Sequence, residues 1–316
     1  MRIVFMGTPE FAVPSLRLLL EQQYEVVAVV TQPDRPKGRK RTLTPTPLKE
    51  AALSFGLPVL QPERMRSAEA VAAIAELQPD IIVTAAYGQI LPKAVLELPR
   101  LGCINVHGSL LPQYRGGAPI QRAIINGEKV TGVTIMYMAE GLDTGDMISK
   151  VEVPITDEDT SGTLFDKLSI AGAELLGRTL PTIIAGEVQA VKQQDELATY
   201  ARNLTREDER IDWNQSALQI YNQVRGLSPM AGAFTTLNGE VFKVWSCTKQ
   251  AGAAGKSDAA PGVVLEASDK GIVVQTGNGT LLLHDIQPSG KRMMSVADWL
   301  KGSKLAIGTV LGGEES

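Results

Sequence analysis

Cysteine and histidine are almost missing from this chain: its 316 residues hold two of each, Cys103 and Cys247, His107 and His284. Two thiols build no disulfide framework, and neither has a second thiol or an imidazole beside it at metal-ligand spacing. Both read as buried thiols of a reducing cytoplasm, and no metal is expected. Long apolar runs are missing too. The longest, residues 26–30 and 81–86, suit buried strands and fall far short of the ~20 residues that cross a bilayer. Residues 1–11 hold no signal-peptide core, so a cytoplasmic protein without a membrane span is the expectation. Nor is positive charge in excess. The 31 Lys and Arg face 35 Asp and Glu, a net charge of -4, which argues against binding nucleic acid through the whole surface field. Any such contact has to be local.

What is present is ordinary for a folded protein. With 44% hydrophobic and 21% charged residues, wholesale disorder is excluded, and the length favours two domains. Residues 2–6 are apolar and end at Gly7-Thr8-Pro9, after which Phe11, Leu16, Leu19 and Leu20 recur at helical spacing. Residues 24–31 form a valine-rich strand, followed by a Pro- and Arg-rich loop over 32–47. A helix over 48–54, a brief strand at 59–60 and a helix over 68–77 come next. Residues 80–86 and 102–107 are nearly all-apolar strands joined by a short crossover at 92–98, as in parallel sheets covered on both faces. Residues 131–138 and 146–153 read as a strand pair, and Leu164, Leu168, Ala171 and Leu175 mark a helix ending near Gly186. The expectation is an α/β fold, a mostly parallel Rossmann-like sheet flanked by helices, over residues 1–188.

Residues 189–208 turn polar and lose apolar periodicity, which suits a linker. Beyond them, short strands at 241–247, 263–266, 272–275, 281–286 and 306–311, with a hairpin signal at Gly277-Asn278-Gly279, predict a smaller all-β domain over 209–316, barrel-like or OB-like. Residues 250–260, rich in Ala and Gly, resemble a flexible loop.

Asn105 and His107 stand two residues apart at the end of an apolar strand, so both point to one face. The ligands of open α/β sheets bind beyond the carboxyl ends of the strands, where this pair lies. Taken alone, Asn105 reads equally well as a turn cap and His107 as a satisfied polar residue. Two neighbourhoods change the balance. Gly108-Ser109-Leu110-Leu111-Pro112 and Arg115-Gly116-Gly117-Ala118-Pro119 supply tight turns and unshielded backbone, and Gly141-Leu142-Asp143-Thr144-Gly145 sets an acid between two glycines.

The strings N-V-H-G-S-L-L-P at 105–112, Y-R-G-G-A-P at 114–119 and G-L-D-T-G at 141–145, with F-M-G-T-P-E-F-A at 5–12, resemble the formyltetrahydrofolate-dependent transferases. The resemblance covers essentially the whole chain. It implies a donor cosubstrate, 10-formyltetrahydrofolate, and an acceptor, the α-amino group of methionine esterified to initiator tRNA. Attack on the formyl carbon makes a tetrahedral intermediate. Asn105 would donate to its oxyanion, His107 would donate or relay a proton, and Asp143 would pair with His107. Which of the last two takes the first proton stays open.

The resemblance also implies that Ser109, Leu110, Leu111 and Pro112 line the folate, with Tyr87, Gly88, Gln89 and Ile90 as a second wall, although the apolar members of both segments could equally be core. Arg35, Lys37, Arg39, Lys40 and Arg41 put five cations into seven residues. As a sequence this is a solvated loop that its prolines keep from being helical; by resemblance it contacts tRNA phosphates. The region from Arg206 onward carries 11 Lys and Arg against 12 Asp and Glu, so RNA affinity there needs a one-sided patch, for which Lys291, Arg292, Lys301 and Lys304 are candidates. A monomer is expected. The alternatives are the same transfer to an amino-sugar nucleotide or other small amine, and a non-catalytic RNA-binding protein. An NAD-dependent oxidoreductase is disfavoured, because Gly7 is followed by Thr8-Pro9-Glu10 and the rest of a dinucleotide fingerprint is missing.

Overall fold

The computed structural model describes residues 1–38, 41–250 and 259–313. The chain divides into two compact units. One comprises Met1–Pro119, Val130–Pro154 and Phe165–Arg202, and the other Ile120–Lys129, Ile155–Leu164 and Asn203–Ser316.

In chain order the elements through the first sheet are β1 (Arg2–Gly7), α1 (Val13–Glu21), β2 (Glu25–Val30), β3 (Arg35–Lys37), β4 (Thr42–Thr44), α2 (Pro47–Ser54), β5 (Val59–Leu60), α3 (Ala68–Glu76), β6 (Ile81–Ala85), α4 (Lys93–Leu96), β7 (Cys103–His107), α5 (Pro119–Ile125), β8 (Val130–Tyr137), β9 (Met147–Pro154) and α6 (Ser161–Ala185). The sheet order is β5-β2-β1-β6-β7-β8-β9, parallel through β7 and antiparallel beyond it. The order reverses between β1 and β6, the switch point at which such sheets open a crevice. The expected α/β sheet is present.

Composition explains the central strands. Ile3 to Met6 and all five residues of β6 are buried, as strands covered on both faces require. Val4, Met6, Ile82, Tyr87, Leu91, Val95 and Cys103 pack as one apolar cluster. Helix starts follow side-chain caps: the Thr46 hydroxyl accepts from Lys49 N ahead of α2, and the Ser67 hydroxyl from Ala70 N ahead of α3. The stretch expected as a loop over 32–47 contains a two-stranded hairpin, in which Arg35 pairs with Thr44 and Lys37 with Thr42. Three-residue strands interrupted by proline leave no apolar alternation to read.

The second sheet follows α7 (Arg206–Glu209) and α8 (Ala217–Leu227). It contains β10 (Ala233–Leu237), β11 (Glu240–Lys249), β12 (Val264–Ser268), β13 (Gly271–Gln275), β14 (Thr280–Pro288) and β15 (Met294–Ser295), and α9 (Val296–Leu300) closes the series. The order β10-β11-β14-β13-β12 is antiparallel throughout, with β15 on β14. Gly277-Asn278-Gly279 does link β13 to β14, where Gln275 pairs with Thr280.

Two sequence expectations for this region change, and a third falls largely outside the described residues. Residues 306–311 are not a strand: Val310 makes one isolated bridge to Val263, and Thr309 O accepts from Val264 N. Gly308, at φ 89°, breaks the extended run. The domain also has a helix in its core, since Ile220, Val224 and Leu227 of α8 are buried with Phe242, Val244 and Leu283. Its signal was a capping box, Ser216 with Gln219, followed by that i, i+4, i+7 spacing. Of residues 250–260, expected to be a flexible loop, 251–258 lie outside the described residues.

An ion pair pins α5 to α7. Both terminal nitrogens of Arg122 donate to the Asp208 carboxylate at 2.8 and 2.9 Å, and Thr205 N adds a third bond at 2.8 Å. Arg122 above all holds the Asp208 carboxyl low, at about 2. A carboxyl lowered on folding contributes stability above its unfolded value, and that contribution is lost as pH falls through its folded value. Asp208→Asn is expected to lower unfolding free energy by roughly 1–2 kcal/mol near neutral pH, after allowance for solvent screening. The gap from the parent should shrink as pH falls from about 4 towards 2, as urea titrations of both proteins would register.

Candidate active site

Asn105 and His107 project from the same face of β7, between β6 and β8 in the sheet, while the intervening Val106 is buried on the other face. Thr84, on β6 opposite Asn105, donates its hydroxyl to Asn105 Oδ1 at 2.8 Å. That bond turns the amide nitrogen the other way. Among the described residues no protein acceptor takes the Nδ2 hydrogens, so the side chain offers a fixed pair of donors at the strand end.

His107 is 6% exposed. Its Nε2 lies 3.0 Å from the Tyr114 carbonyl, which can only accept, so Nε2 carries a proton. Nδ1 faces Asp143 Oδ2 at 3.7 Å, an ion-pair distance beyond hydrogen-bond length. The Asp143 carboxylate is itself anchored, because Gly116 N donates to Oδ2 at 2.8 Å. Asp143 sits in the left-handed region at φ 50°, a conformation Asp tolerates better than most residues. The resemblance had placed Asp143 at His107, and the structure brings the two side chains together. Gly116 has φ 118°, and a β-carbon there would stand 2.7 Å from Ala201 O. Only glycine fits that turn.

The segment 109–112 is locked beside the strand end. Thr134, opposite His107 on β8, donates to Ser109 O at 2.7 Å and accepts from Leu111 N at 3.1 Å, and Ser109 Oγ donates to Gln113 O at 2.7 Å. Lys150 Nζ donates to Leu111 O, and burial lowers the pKa of that ammonium. The Leu111–Pro112 peptide is cis. Ser109 and Leu111 are fully buried, whereas Leu110 and Pro112 are partly open.

Along 87–90 the side chains divide similarly. Tyr87 is buried in the apolar cluster and its hydroxyl has no partner among the described residues; burial pushes its pKa up to about 12. Its carbonyl accepts from Thr8 Oγ1 at 2.8 Å. Gly88 has φ 88°, and Gln89 holds Met65 N and Pro62 O. Ile90 is 81% exposed, and Leu142, beside Asp143, is 59% exposed. Both lie on loops that follow strands of the first sheet, β6 and β8.

Arg115 and Gln193 received no role from the sequence. The Arg115 guanidinium is buried, donates to Gln193 Oε1 through Nε at 3.0 Å and Nη2 at 2.9 Å, and reaches Asp195 at 2.8 Å. The Gln193 amide donates to Asp143 O at 2.7 Å and Gly145 O at 2.8 Å. Gln193 lies in the polar stretch expected to be a linker, where nothing distinguished it from its neighbours. The structure pins that stretch to the sheet unit through bridges from Val191 to Met147 and from Tyr200 to Arg115.

The basic cluster divides between described and undescribed residues. Arg35 is exposed and pairs with Glu63 at 2.9 Å, Lys37 lies on β3, and Arg41 is exposed at φ 49°. Arg39 and Lys40 lie outside the described residues. Lys291, Arg292 and Lys304 are exposed, and Lys301 pairs with Asp298 at 2.7 Å.

An amide donor, an imidazole and a carboxylate stand close together beyond the strand ends of a mostly parallel, helix-flanked sheet. The chain belongs to the formyl transferase family: the family model described as formyl transferase matches residues 1–180, and that of the formyl transferase C-terminal domain matches 203–304. A methionyl-tRNA formyltransferase of Bacillus velezensis is 57% identical over 98% of both chains. Among solved structures, a sugar 3N-formyl transferase, WlaRD, determined in the presence of dTDP and 5-N-formyl-THF, matches 92% of this chain and 99% of its own at TM-score 0.65 and 19% identity. HypX from Aquifex aeolicus, in complex with tetrahydrofolic acid, matches 98% of this chain at TM-score 0.66 and 18% identity, and the match spans half of HypX. At such identities these two structures speak for the fold alone.

Proposed function

We propose that this chain transfers a formyl group from 10-formyltetrahydrofolate to the α-amino group of methionine on initiator tRNA, with Asn105, His107 and Asp143 as the working side chains. The observation that carries the chemistry is the Asp143 carboxylate held 3.7 Å from His107 Nδ1, on the strand whose Asn105 presents two uncommitted donors. The acceptor is supported by the methionyl-tRNA formyltransferase that shares 57% of its residues along nearly the whole chain.

The reaction needs no redox partner. One C–N bond forms to the amine as another breaks at the folate nitrogen, and the proton the amine loses equals the one the leaving nitrogen gains. Asn105 Nδ2 donates to the oxygen on which negative charge develops. The Asp143–His107 pair takes the amine proton on its open side and returns it to the leaving nitrogen. With Nε2 bonded to Tyr114 O, His107 exchanges protons through Nδ1, the nitrogen that faces Asp143. Leu110, Pro112 and Ile90 line the folate, while Ser109, Leu111, Tyr87, Gly88 and Gln89 shape the backbone behind them.

The basic cluster Arg35, Lys37, Arg39, Lys40 and Arg41 holds tRNA phosphate, and the C-terminal domain assists through Lys291, Arg292, Lys301 and Lys304. Neutralising Arg39, Lys40 and Arg41 together is expected to weaken tRNA binding and flatten the salt dependence of log K by roughly 2–3, with folate affinity unchanged. Filter binding across a salt series checks this, and an unaltered slope would remove the cluster from the interface.

The function is tested by incubating the protein with 10-formyltetrahydrofolate and, in parallel, methionyl initiator tRNA, methionyl elongator tRNA and an amino-sugar nucleotide, followed by mass analysis of each acceptor. Formyl on the methionyl initiator tRNA is expected. Formyl on the amino sugar alone would overturn the acceptor assignment.

A further inference from the structure

Asp143 occupies a conformation that an L-residue rarely adopts, between two glycines, on a loop with little apolar anchorage: Leu142 beside it is exposed. Loops of that composition move readily. A proton acceptor, however, has to stay within a few tenths of an ångström of its partner. Something must hold it.

We infer that Gln193, locked by Arg115, is the positioning residue that sets the Asp143 carboxylate against His107. Gln193 is 4% exposed. Its amide orientation follows from its neighbours: Arg115 presents only donors, so Oε1 must face the guanidinium and Nε2 must face the loop. Nε2 has two hydrogens, and two carbonyls receive them, Asp143 O and Gly145 O, one on each side of Thr144. Every polar atom of the amide is thereby used. The turn is stapled by its backbone, which leaves both oxygens of the Asp143 side chain clear of Gln193.

Arg115 acts twice in the same assembly. Its side chain fixes Gln193, and the N–H of the next residue, Gly116, donates to Asp143 Oδ2 at 2.8 Å. Its carbonyl accepts from Ala201 N at 2.7 Å, and its own N–H donates to Thr199 O at 2.9 Å, so the residue is immobilised along its backbone as well. Backbone and carboxylate of Asp143 are therefore held from one rigid point. Gln193 itself lies behind the loop, and its effect on the reaction runs through Asp143. The inference rests on the reading of Asp143 as a working member of the proton-accepting Asp143–His107 pair.

The test is a mutant cycle on the full-length protein, assayed with 10-formyltetrahydrofolate and methionyl initiator tRNA. Gln193→Glu is nearly isosteric and still satisfies Arg115, yet it places an oxygen where two carbonyls need a donor. Gln193→Met keeps the length without the amide and serves if the first variant folds poorly. The expected result is a fall in kcat of about 10- to 100-fold with KM for both substrates within about threefold. In an Asp143→Asn background the same change should cost less than about twofold more, because residues acting as a unit are not additive. A residue that merely supports the fold would lower both backgrounds alike. Normal kcat in both Gln193 variants, with Asp143→Asn inactive, would overturn the positioning role and leave the site reading standing. Losses that multiply in the double variant would also overturn it. Normal kcat in Asp143→Asn would instead overturn the site reading itself, and the positioning role with it.

Discussion

Asp143→Asn is expected to lower kcat by about 10²–10⁴-fold, the range that a positioned proton acceptor contributes, while KM for 10-formyltetrahydrofolate stays within about twofold. The substitution isolates charge and basicity from shape. An Asn side chain in the same rotamer still offers an oxygen to Gly116 N, which now bonds Oδ2 at 2.8 Å. The backbone staple through Gln193 to Asp143 O does not involve the side chain at all. The loop therefore keeps its course, and what disappears is the negative charge 3.7 Å from His107 Nδ1 and the ability to take a proton. Because that ability is used only as the amine proton leaves, the loss belongs in kcat rather than in ground-state binding. Steady-state kinetics with both substrates varied would measure the split. A variant with near-normal kcat would remove Asp143 from the mechanism.

Asn105→Ala is expected to cost about 10²–10³-fold in kcat, roughly 3 kcal/mol of transition-state stabilisation, as loss of one oxyanion donor does elsewhere. The structural reason is the Thr84 hydroxyl. By holding Oδ1 at 2.8 Å it spares Asn105 from choosing an orientation at the moment of reaction, so the Nδ2 donors are aimed in advance. Thr84 is itself buried on β6. Removing the amide leaves Thr84 able to donate to Ile104 O, 3.0 Å away, so no buried hydroxyl is stranded and stability should change little. If Asn105→Ala instead raised KM for the folate and left kcat intact, the residue would be placing the substrate rather than stabilising charge.

Much of this architecture could be read from the chain. The apolar runs over β1, β6 and β7 are legible because a strand buried on both faces has to be apolar throughout. The pairing of Asn105 with His107 on one face follows from the two-residue period of a strand. Asp143 could be brought to His107 only through the resemblance, since 36 residues and a change of strand direction separate them, and no periodicity reports such a distance. The helix α8 carried its own signal in Ser216 and Gln219, overshadowed by the strands around it. Residues 306–311 read like a strand, but their backbone bonds to Gly262 and Val264 form one isolated bridge, Val310 to Val263, and no continuous ladder.

Gln193 and Arg115 were illegible for another reason. A polar residue in a polar stretch has no pattern to break, and the meaning of a buried guanidinium depends on which amide it meets in space. Nor does a tetrapeptide such as Ser109-Leu110-Leu111-Pro112 announce which of its side chains face inward. The structure turns Ser109 and Leu111 into the protein and leaves Leu110 partly open, a division set by Thr134 beneath them.

Formyl transfer at Asn105, His107 and Asp143 requires a donor seated against these three side chains. A crystal structure of this protein with a formyl-bearing tetrahydrofolate bound would reveal that placement. The formyl oxygen is expected about 2.7–3.1 Å from Asn105 Nδ2, with the face of the carbonyl carbon open to an amine beside the Asp143 carboxylate. A formyl group bound away from Asn105, or turned so that its oxygen meets neither Asn105 nor His107, would rule out transfer at these side chains.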